Sequence, residues 1–131
     1  MKKTIFNLVL MFAAANVCAL AADPCATQAN TMEINACGKL TLVKKDKELN
    51  AAYQNLMKRL TPDGKGDDTD YAAVRKHLVE AQRNWIKFRD DDCQGMLAFY
   101  ESGTIRGAVY LSCLTDRTEQ RTKELLSWGD I

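Results

Sequence analysis

The sequence lacks the motifs that organise most catalytic and metal sites, and it has a single histidine, His77. No G-x-S-x-G nucleophile motif accompanies His77, which is expected at the surface on the flank of an amphipathic helix. No C-x-x-C pair indicates a zinc site. The acidic stretch 63–74 has Asp68 where a calcium-binding loop needs glycine and Val74 where it needs glutamate. We therefore expect no enzyme activity, no metal and no cofactor.

Beyond its N-terminus, the sequence has no apolar run long enough to span a membrane. Lys2 and Lys3 precede the apolar run 5–20, and residues 19–21 read Ala-Leu-Ala, the small-x-small pattern that a signal peptidase recognises. We predict that residues 1–21 are a cleaved signal peptide and that the mature protein is periplasmic or secreted from a bacterium.

The chain also lacks a basic excess and a lipid-attachment site. Loss of Lys2 and Lys3 leaves 16 of the 18 basic residues against 17 acidic ones, so no basic field indicates nucleic-acid binding. Cys18 follows Val17 and Cys25 follows Pro24, where lipoprotein processing requires a small residue. We expect neither a membrane anchor nor a nucleic-acid partner.

Cysteine is sparse and widely spaced. Removal of Cys18 leaves four cysteines, Cys25, Cys37, Cys93 and Cys113, at separations of 12, 56 and 20 residues. An even number in an oxidising compartment predicts two disulfides, and these separations are not those of a four-thiolate zinc site.

Helical periodicity dominates what is present. Key positions recur at steps of three and four in two segments, Leu42, Asp46, Leu49, Tyr53, Leu56 and Leu60, then Val74, Leu78, Ala81, Trp85 and Phe88. Turn residues fill 61–70, where Asp70 or Thr69 is placed to cap the second helix. After a break at 101–107, Leu114, Thr118, Arg121 and Leu125 share one face of a third helix. No segment alternates as a strand does. The sequence predicts one all-α domain over 22–131, a small bundle with a long antiparallel hairpin, a C-terminal helix and two disulfides.

The hairpin predicts which residues face each other. With the fold near residue 66, Asp46 lies opposite the region of Arg89 and Asn50 lies opposite Gln82. A carboxylate on an apolar stripe is costly to bury unpaired, so a guanidinium partner is expected for Asp46. The two amides are expected to satisfy each other.

The same register also predicts which cysteines pair. It places Cys37 opposite Cys93, which favours that pairing and leaves Cys25 for Cys113. If residues 26–35 are not a regular helix, Cys25 pairs with Cys37 instead and Cys93 with Cys113. Four cysteines allow three pairings.

Taken together, these residues resemble the LprI-like lysozyme-inhibitor family. The resemblance is carried by Cys25, Asn35-x-Cys37, Asp46-x-x-Leu49-Asn50-x-x-Tyr53, Gln82-Arg83-x-Trp85-x-x-Phe88-Arg89-Asp90-x-x-Cys93, and Cys113 followed by Thr118-x-x-Arg121-x-x-Glu124-Leu125. It covers essentially the whole mature chain and implies a small, all-helical, secreted or lipid-anchored bacterial domain that inhibits lysozyme. This chain departs from the lipoprotein members in lacking an acylation cysteine.

Two sets of residues are assigned different roles. A structural polar core is expected from residues on facing stripes, namely Asp46, Asn50, Tyr53, Gln82, Trp85 and Arg89. Contacts with a protein partner are expected on loops, where the charged candidates are Asp63, Lys65, Asp67, Asp68, Asp70, Asp90, Asp91, Asp92 and Arg106. Acidic clusters suit a basic lysozyme, whereas Lys65 or Arg106 suits the catalytic carboxylates of its cleft.

Three functions remain open at this point. The resemblance implies a protein that binds and blocks a lysozyme or related peptidoglycan hydrolase. Two alternatives are an immunity protein against a cell-wall-degrading effector and a structural or adaptor protein of the envelope. Met96, Phe99 and Tyr100 either form part of an interface or cover the third helix, and we favour the second.

Overall fold

The computed structural model describes residue 23 and residues 25–61 and 68–129. Three helices follow in chain order, α1 (Thr31–Arg59), α2 (Tyr71–Phe99) and α3 (Arg106–Leu126). None of the described residues lies in a strand, and none of these helices is long and apolar enough to cross a membrane. The all-α prediction is confirmed. The predicted signal peptide and the candidate contacts Asp63, Lys65 and Asp67 lie outside the described residues.

Side-chain caps define where α1 and α2 begin. The Asn30 side-chain oxygen Oδ1 accepts a hydrogen bond from the Glu33 backbone N–H at 3.0 Å. The Glu33 carboxylate in turn accepts from the Thr27 hydroxyl at 2.7 Å and the Ala29 N–H at 2.9 Å, and these bonds lower the pKa of Glu33. The Asp70 carboxylate accepts a hydrogen bond from the Ala73 N–H at 3.0 Å and so caps α2. Asp70 was one of the two caps that the sequence predicted for this helix.

The helices run up, down and up. Asp46 meets Arg89, and the Arg75 guanidinium donates to the Met57 carbonyl, so α1 and α2 are antiparallel. Helix α3 runs parallel to α1 and packs more extensively against each long helix than they pack against each other. The predicted hairpin therefore exists, but α3 forms most of the interface that joins its two arms.

Two glycines allow α3 to approach α1 closely. A Cβ atom at Gly38 would lie 3.2 Å from Leu111 Cδ1, and one at Gly107 would lie 3.0 Å from Asn35 Nδ2. Neither space admits a side chain without displacing its neighbour. At the N-terminal ends of α1 and α3, the backbone of each helix therefore packs against a side chain of the other.

An ion pair joins α1 to α3 further along. Lys45 Nζ lies 2.8 Å from a Glu119 carboxylate oxygen and 3.1 Å from Glu48. The bond with Glu119 is the main reason that the pKa of Lys45 is raised, and the same bond lowers the pKa of Glu119.

The apolar core occupies the half of the bundle nearest the α1–α2 connection. Leu49, Ala52, Leu56, Leu78 and Leu125 form it, with Tyr53, Met57, Leu60 and Trp85 packed at its edge. On α3, Leu114, Thr118 and Leu125 are buried, which confirms the predicted inward face.

The inward face of α2 differs from the predicted stripe. Phe88 is 54% exposed and Ala81 is exposed, whereas Gln82 and Cys93 are buried. The prediction assumed that the apolar side chains of α2 face inward. Helix α3, however, provides polar partners for Gln82 and Arg89 and a disulfide partner for Cys93. The buried face is therefore rotated toward Gln82, Arg89 and Cys93.

The favoured disulfide pairing was wrong. The bonds join Cys25 to Cys37, with Cα atoms 4.7 Å apart, and Cys93 to Cys113, at 5.6 Å. Helix α1 begins only at Thr31, and the preceding chain turns at residues 25–27, which brings Cys25 back to α1. Because α3 lies against α2, Cys93 meets Cys113 rather than Cys37.

Candidate functional site

A polar groove separates α1 and α2 on the side away from α3. Asp46, Asn50, Tyr53 and Gln54 line one wall at helical spacing, and Gln82, Arg83 and Arg89 line the other. The groove has a volume of about 510 Å³. Five of the six residues assigned to a structural polar core therefore border a solvent-accessible groove, whereas Trp85 packs at the edge of the apolar core.

Arg89 is the most highly connected side chain of the groove. Its Nη1 donates to Asp46 Oδ1 at 3.0 Å and to the buried Thr118 hydroxyl at 3.1 Å, and its Nε donates to Asp90 at 2.9 Å. The guanidinium carbon also lies 5.3 Å from the centre of the Trp85 ring. Asp46 and Arg89 form the pair that the hairpin register predicted, and α3 contributes a third member through Thr118.

The two amides expected to pair are placed differently. Gln82 is only 8% exposed, and its Oε1 accepts from Arg121 Nε of α3 at 3.0 Å. Asn50 is exposed on the opposite wall. Sequence reasoning missed the contact between Gln82 and Arg121, although both residues were among those that carry the resemblance.

The acidic run at the C-terminal half of α2 is charge-paired within the molecule. Asp90, Asp91 and Asp92 lie 2.9, 2.6 and 2.9 Å from Arg89, Lys87 and Arg117 respectively. The bond to Asp91 raises the pKa of Lys87. These carboxylates therefore present less free negative charge than the sequence suggests. Of the acidic loop, Asp68 is exposed and Asp70 caps α2.

An apolar surface lies where α2 connects to α3, at the end of the bundle away from the α1–α2 connection. We call residues 99–106 the α2–α3 tip. Phe99 is 82% exposed and Ile105 is 54% exposed. The rings of Phe99 and Tyr100 pack edge-on, with their centres 5.2 Å apart. Arg106, a predicted contact residue, is exposed beside them. Phe99 does not cover the third helix, contrary to the expectation from sequence.

The described residues contain one cluster of candidate metal ligands, and its chemistry does not suit a metal. It consists of Asp92, Cys93 and Cys113. Both sulfurs are consumed by their disulfide, so no thiolate is available, and the carboxylate is paired with Arg117. His77 is exposed and lies outside this cluster.

Comparison with known proteins identifies the family. A family model described as "Lysozyme inhibitor LprI" matches residues 22–125, most of the chain. The chain belongs to the LprI family of lysozyme inhibitors. The match includes both walls of the groove, the α2–α3 tip and all four disulfide cysteines.

The name of a similar curated protein gives no further information about function. The chain is 33% identical over 106 residues to the uncharacterised protein R02472 of Rhizobium meliloti strain 1021, covering 77% of this chain and 75% of that protein. No solved structure matches the chain.

Proposed function

We propose that this LprI-family protein binds a lysozyme-type muramidase in the bacterial periplasm or outside the cell and blocks its activity. The observation that carries the proposal is the match of residues 22–125 to the lysozyme-inhibitor family. The match begins directly after the predicted signal peptide, and two disulfides suit an oxidising compartment.

The α2–α3 tip is the surface best suited to enter an enzyme cleft. Exposed aromatic side chains provide much of the binding energy in protein interfaces, and Phe99 and Tyr100 offer two of them side by side. A cleft is concave, whereas the tip is a short connection at the end of two long helices. The geometry therefore favours insertion over a flat contact.

The tip is held in shape before any partner binds. The Gly103 N–H donates to the Tyr100 carbonyl at 2.9 Å, and Arg106 donates through its backbone and its guanidinium to the Gly103 and Glu101 carbonyls, each at 3.3 Å. The Cys93–Cys113 disulfide clamps the two helices behind it. Preorganisation of this kind reduces the entropy lost on binding.

Arg106 supplies the complementary charge. Glycoside hydrolases place a pair of carboxyl groups across the scissile bond. A guanidinium beside an apolar wedge suits such a cleft, because it pairs with a carboxylate while the aromatic rings exclude water. Asp90, Asp91 and Asp92 contribute less to this proposal, since each already has a basic partner.

The test is a cell-wall turbidity assay with the oxidised mature protein against lysozymes of several types. Phe99→Ser and Arg106→Glu are each expected to weaken inhibition about tenfold or more. Phe88→Ser and Lys76→Glu are matched controls, because both residues are exposed on α2 away from the tip, and they should leave inhibition unchanged. Failure of the unmodified protein to inhibit any lysozyme would refute the function. Equal losses of inhibition in the tip and control variants would refute the assignment of the α2–α3 tip as the inhibitory surface.

A further inference from the structure

The groove between α1 and α2 has the size and chemistry of a small-molecule site. Its volume of about 510 Å³ lies within the range of roughly 300–1,000 Å³ that is usual for ligand pockets. The function of a protein inhibitor does not require it, and it lies on the long helices rather than at the α2–α3 tip. We propose that this groove binds a short, uncharged, N-acetylated saccharide.

Rigid polar side chains form one wall of the groove. Arg89 is fixed by Asp46, Asp90 and Thr118, and Gln82 is fixed by Arg121. Side chains already held by the protein lose little entropy when a ligand binds them. The groove is therefore preorganised on the side of α2.

Gln82 has a donor to spare. Its side chain is more than nine-tenths buried, and the bond from Arg121 occupies its carbonyl oxygen, which orients the amide. No described residue accepts a hydrogen bond from Gln82 Nε2. Because Gln82 lines the groove, this amide N–H is available to a ligand hydroxyl or carbonyl.

The opposite wall adds complementary groups. Asn50 and Gln54 present exposed amides, each with donors and an acceptor, and Tyr53 borders the same space. Asp46 uses Oδ1 for Arg89 and has 42% of its side chain exposed, so its other oxygen can accept from a hydroxyl. Donors and acceptors in alternation suit a polyhydroxylated ligand.

The charges of the groove argue against an anionic ligand. Asp46 and Asp90 both contact Arg89, and Arg83 pairs with Glu80 at 2.9 Å. No described arginine of the groove is left without a carboxylate partner. A carboxylate or phosphate ligand would compete with these acids, whereas an uncharged ligand would not.

The apolar side chains of the groove favour a ligand that carries an acetyl group. Leu49, Val79 and Ile86 lie among the polar residues of the same groove. An acetamido group carries a donor, an acceptor and a methyl group, and the groove provides partners for all three in one place. A sugar with hydroxyl groups alone would offer no methyl group to the exposed Ile86 side chain.

Nuclear magnetic resonance titration of the oxidised protein with the N-acetylglucosamine trimer tests this inference without any lysozyme. We expect saturable shifts that centre on Asn50, Gln54 and Gln82. The glucose trimer of the same length should bind at least about tenfold more weakly. No saturable shift up to millimolar trimer, shifts centred elsewhere, or equal binding of the glucose trimer would each overturn the proposal.

Variants separate the groove from general surface binding. Asn50→Ala removes an exposed side chain and should fold normally, and it should weaken binding about two- to tenfold, the effect of one hydrogen bond. Asn84→Ala is the matched control, because Asn84 is an exposed amide on α2 that does not line the groove. Equal affinity of the two variants would contradict the assignment. Since lysozyme is absent from the assay, its outcome is independent of the inhibitory function.

Discussion

Replacement of Arg89 by alanine should cost more stability than replacement of its partner Asp46. Arg89 has 14% of its side chain exposed, whereas Asp46 has 42% exposed and can be rehydrated when its partner is lost. Arg89→Ala also removes the hydrogen bond to the Thr118 hydroxyl, which is fully buried, and the contact with the Trp85 ring. Loss of a buried hydroxyl's partner costs about 1–3 kcal/mol, and a partly buried cation–π contact contributes about 0.5–2 kcal/mol.

The expected loss for Arg89→Ala is therefore about 2–4 kcal/mol, below the upper end for breaking a fully buried pair because Asp46 is partly solvated. Asp46→Ala should cost only about 1 kcal/mol, since Arg89 keeps Asp90 and Thr118 as partners. The control is Arg83→Ala, whose side chain is 70% exposed, and its effect should stay within about 0.5 kcal/mol.

Urea denaturation of the oxidised variants measures these differences. The midpoints should fall in the order Arg83→Ala, Asp46→Ala, Arg89→Ala, with an unchanged slope of free energy against denaturant. Equal losses for Arg89→Ala and Asp46→Ala would refute the reasoning, because the ion pair alone would then account for the stability. A loss for Arg89→Ala within the range of the control would refute it as well.

Three further predictions use the same unfolding assay. Gly95→Ala should stabilise the protein by about 0.5–1 kcal/mol because the helix position is open, whereas Gly38→Ala should be less stable than Gly95→Ala because the same propensity gain is offset by the approach of the new Cβ to Leu111 Cδ1 at 3.2 Å. The lowered pKa of Glu33 means that its stabilisation is present above its unfolded value of 4.5 and is lost as the pH falls through the folded value, so Glu33→Gln should flatten the decline in midpoint with acidification. Loss of the Cys93–Cys113 disulfide through serine at both positions should cost about 3 kcal/mol for a loop of 20 residues, and a smaller loss would contradict the chain-entropy account.

Prediction from the sequence succeeded where interactions are local or follow directly from a helical period. The spacing of Leu49 and Leu56 predicted the buried face of α1, and both are buried. Asp70 was a predicted cap, and it caps α2. The hairpin register also brought Asp46 to Arg89, because the two arms are regular helices and the offset between residues is preserved along them.

The sequence by itself thus determined the helices, their antiparallel connection, one charge pair and the number of disulfides that Cys25, Cys37, Cys93 and Cys113 form. The position of α3 was decided only by tertiary packing. Its docking against α2 places Cys113 beside Cys93, turns Gln82 inward to Arg121, and leaves the polar groove open between α1 and α2. The physical reason is that periodicity specifies which side of each helix is apolar, but the partner of a buried cysteine or amide depends on which neighbouring helix faces it.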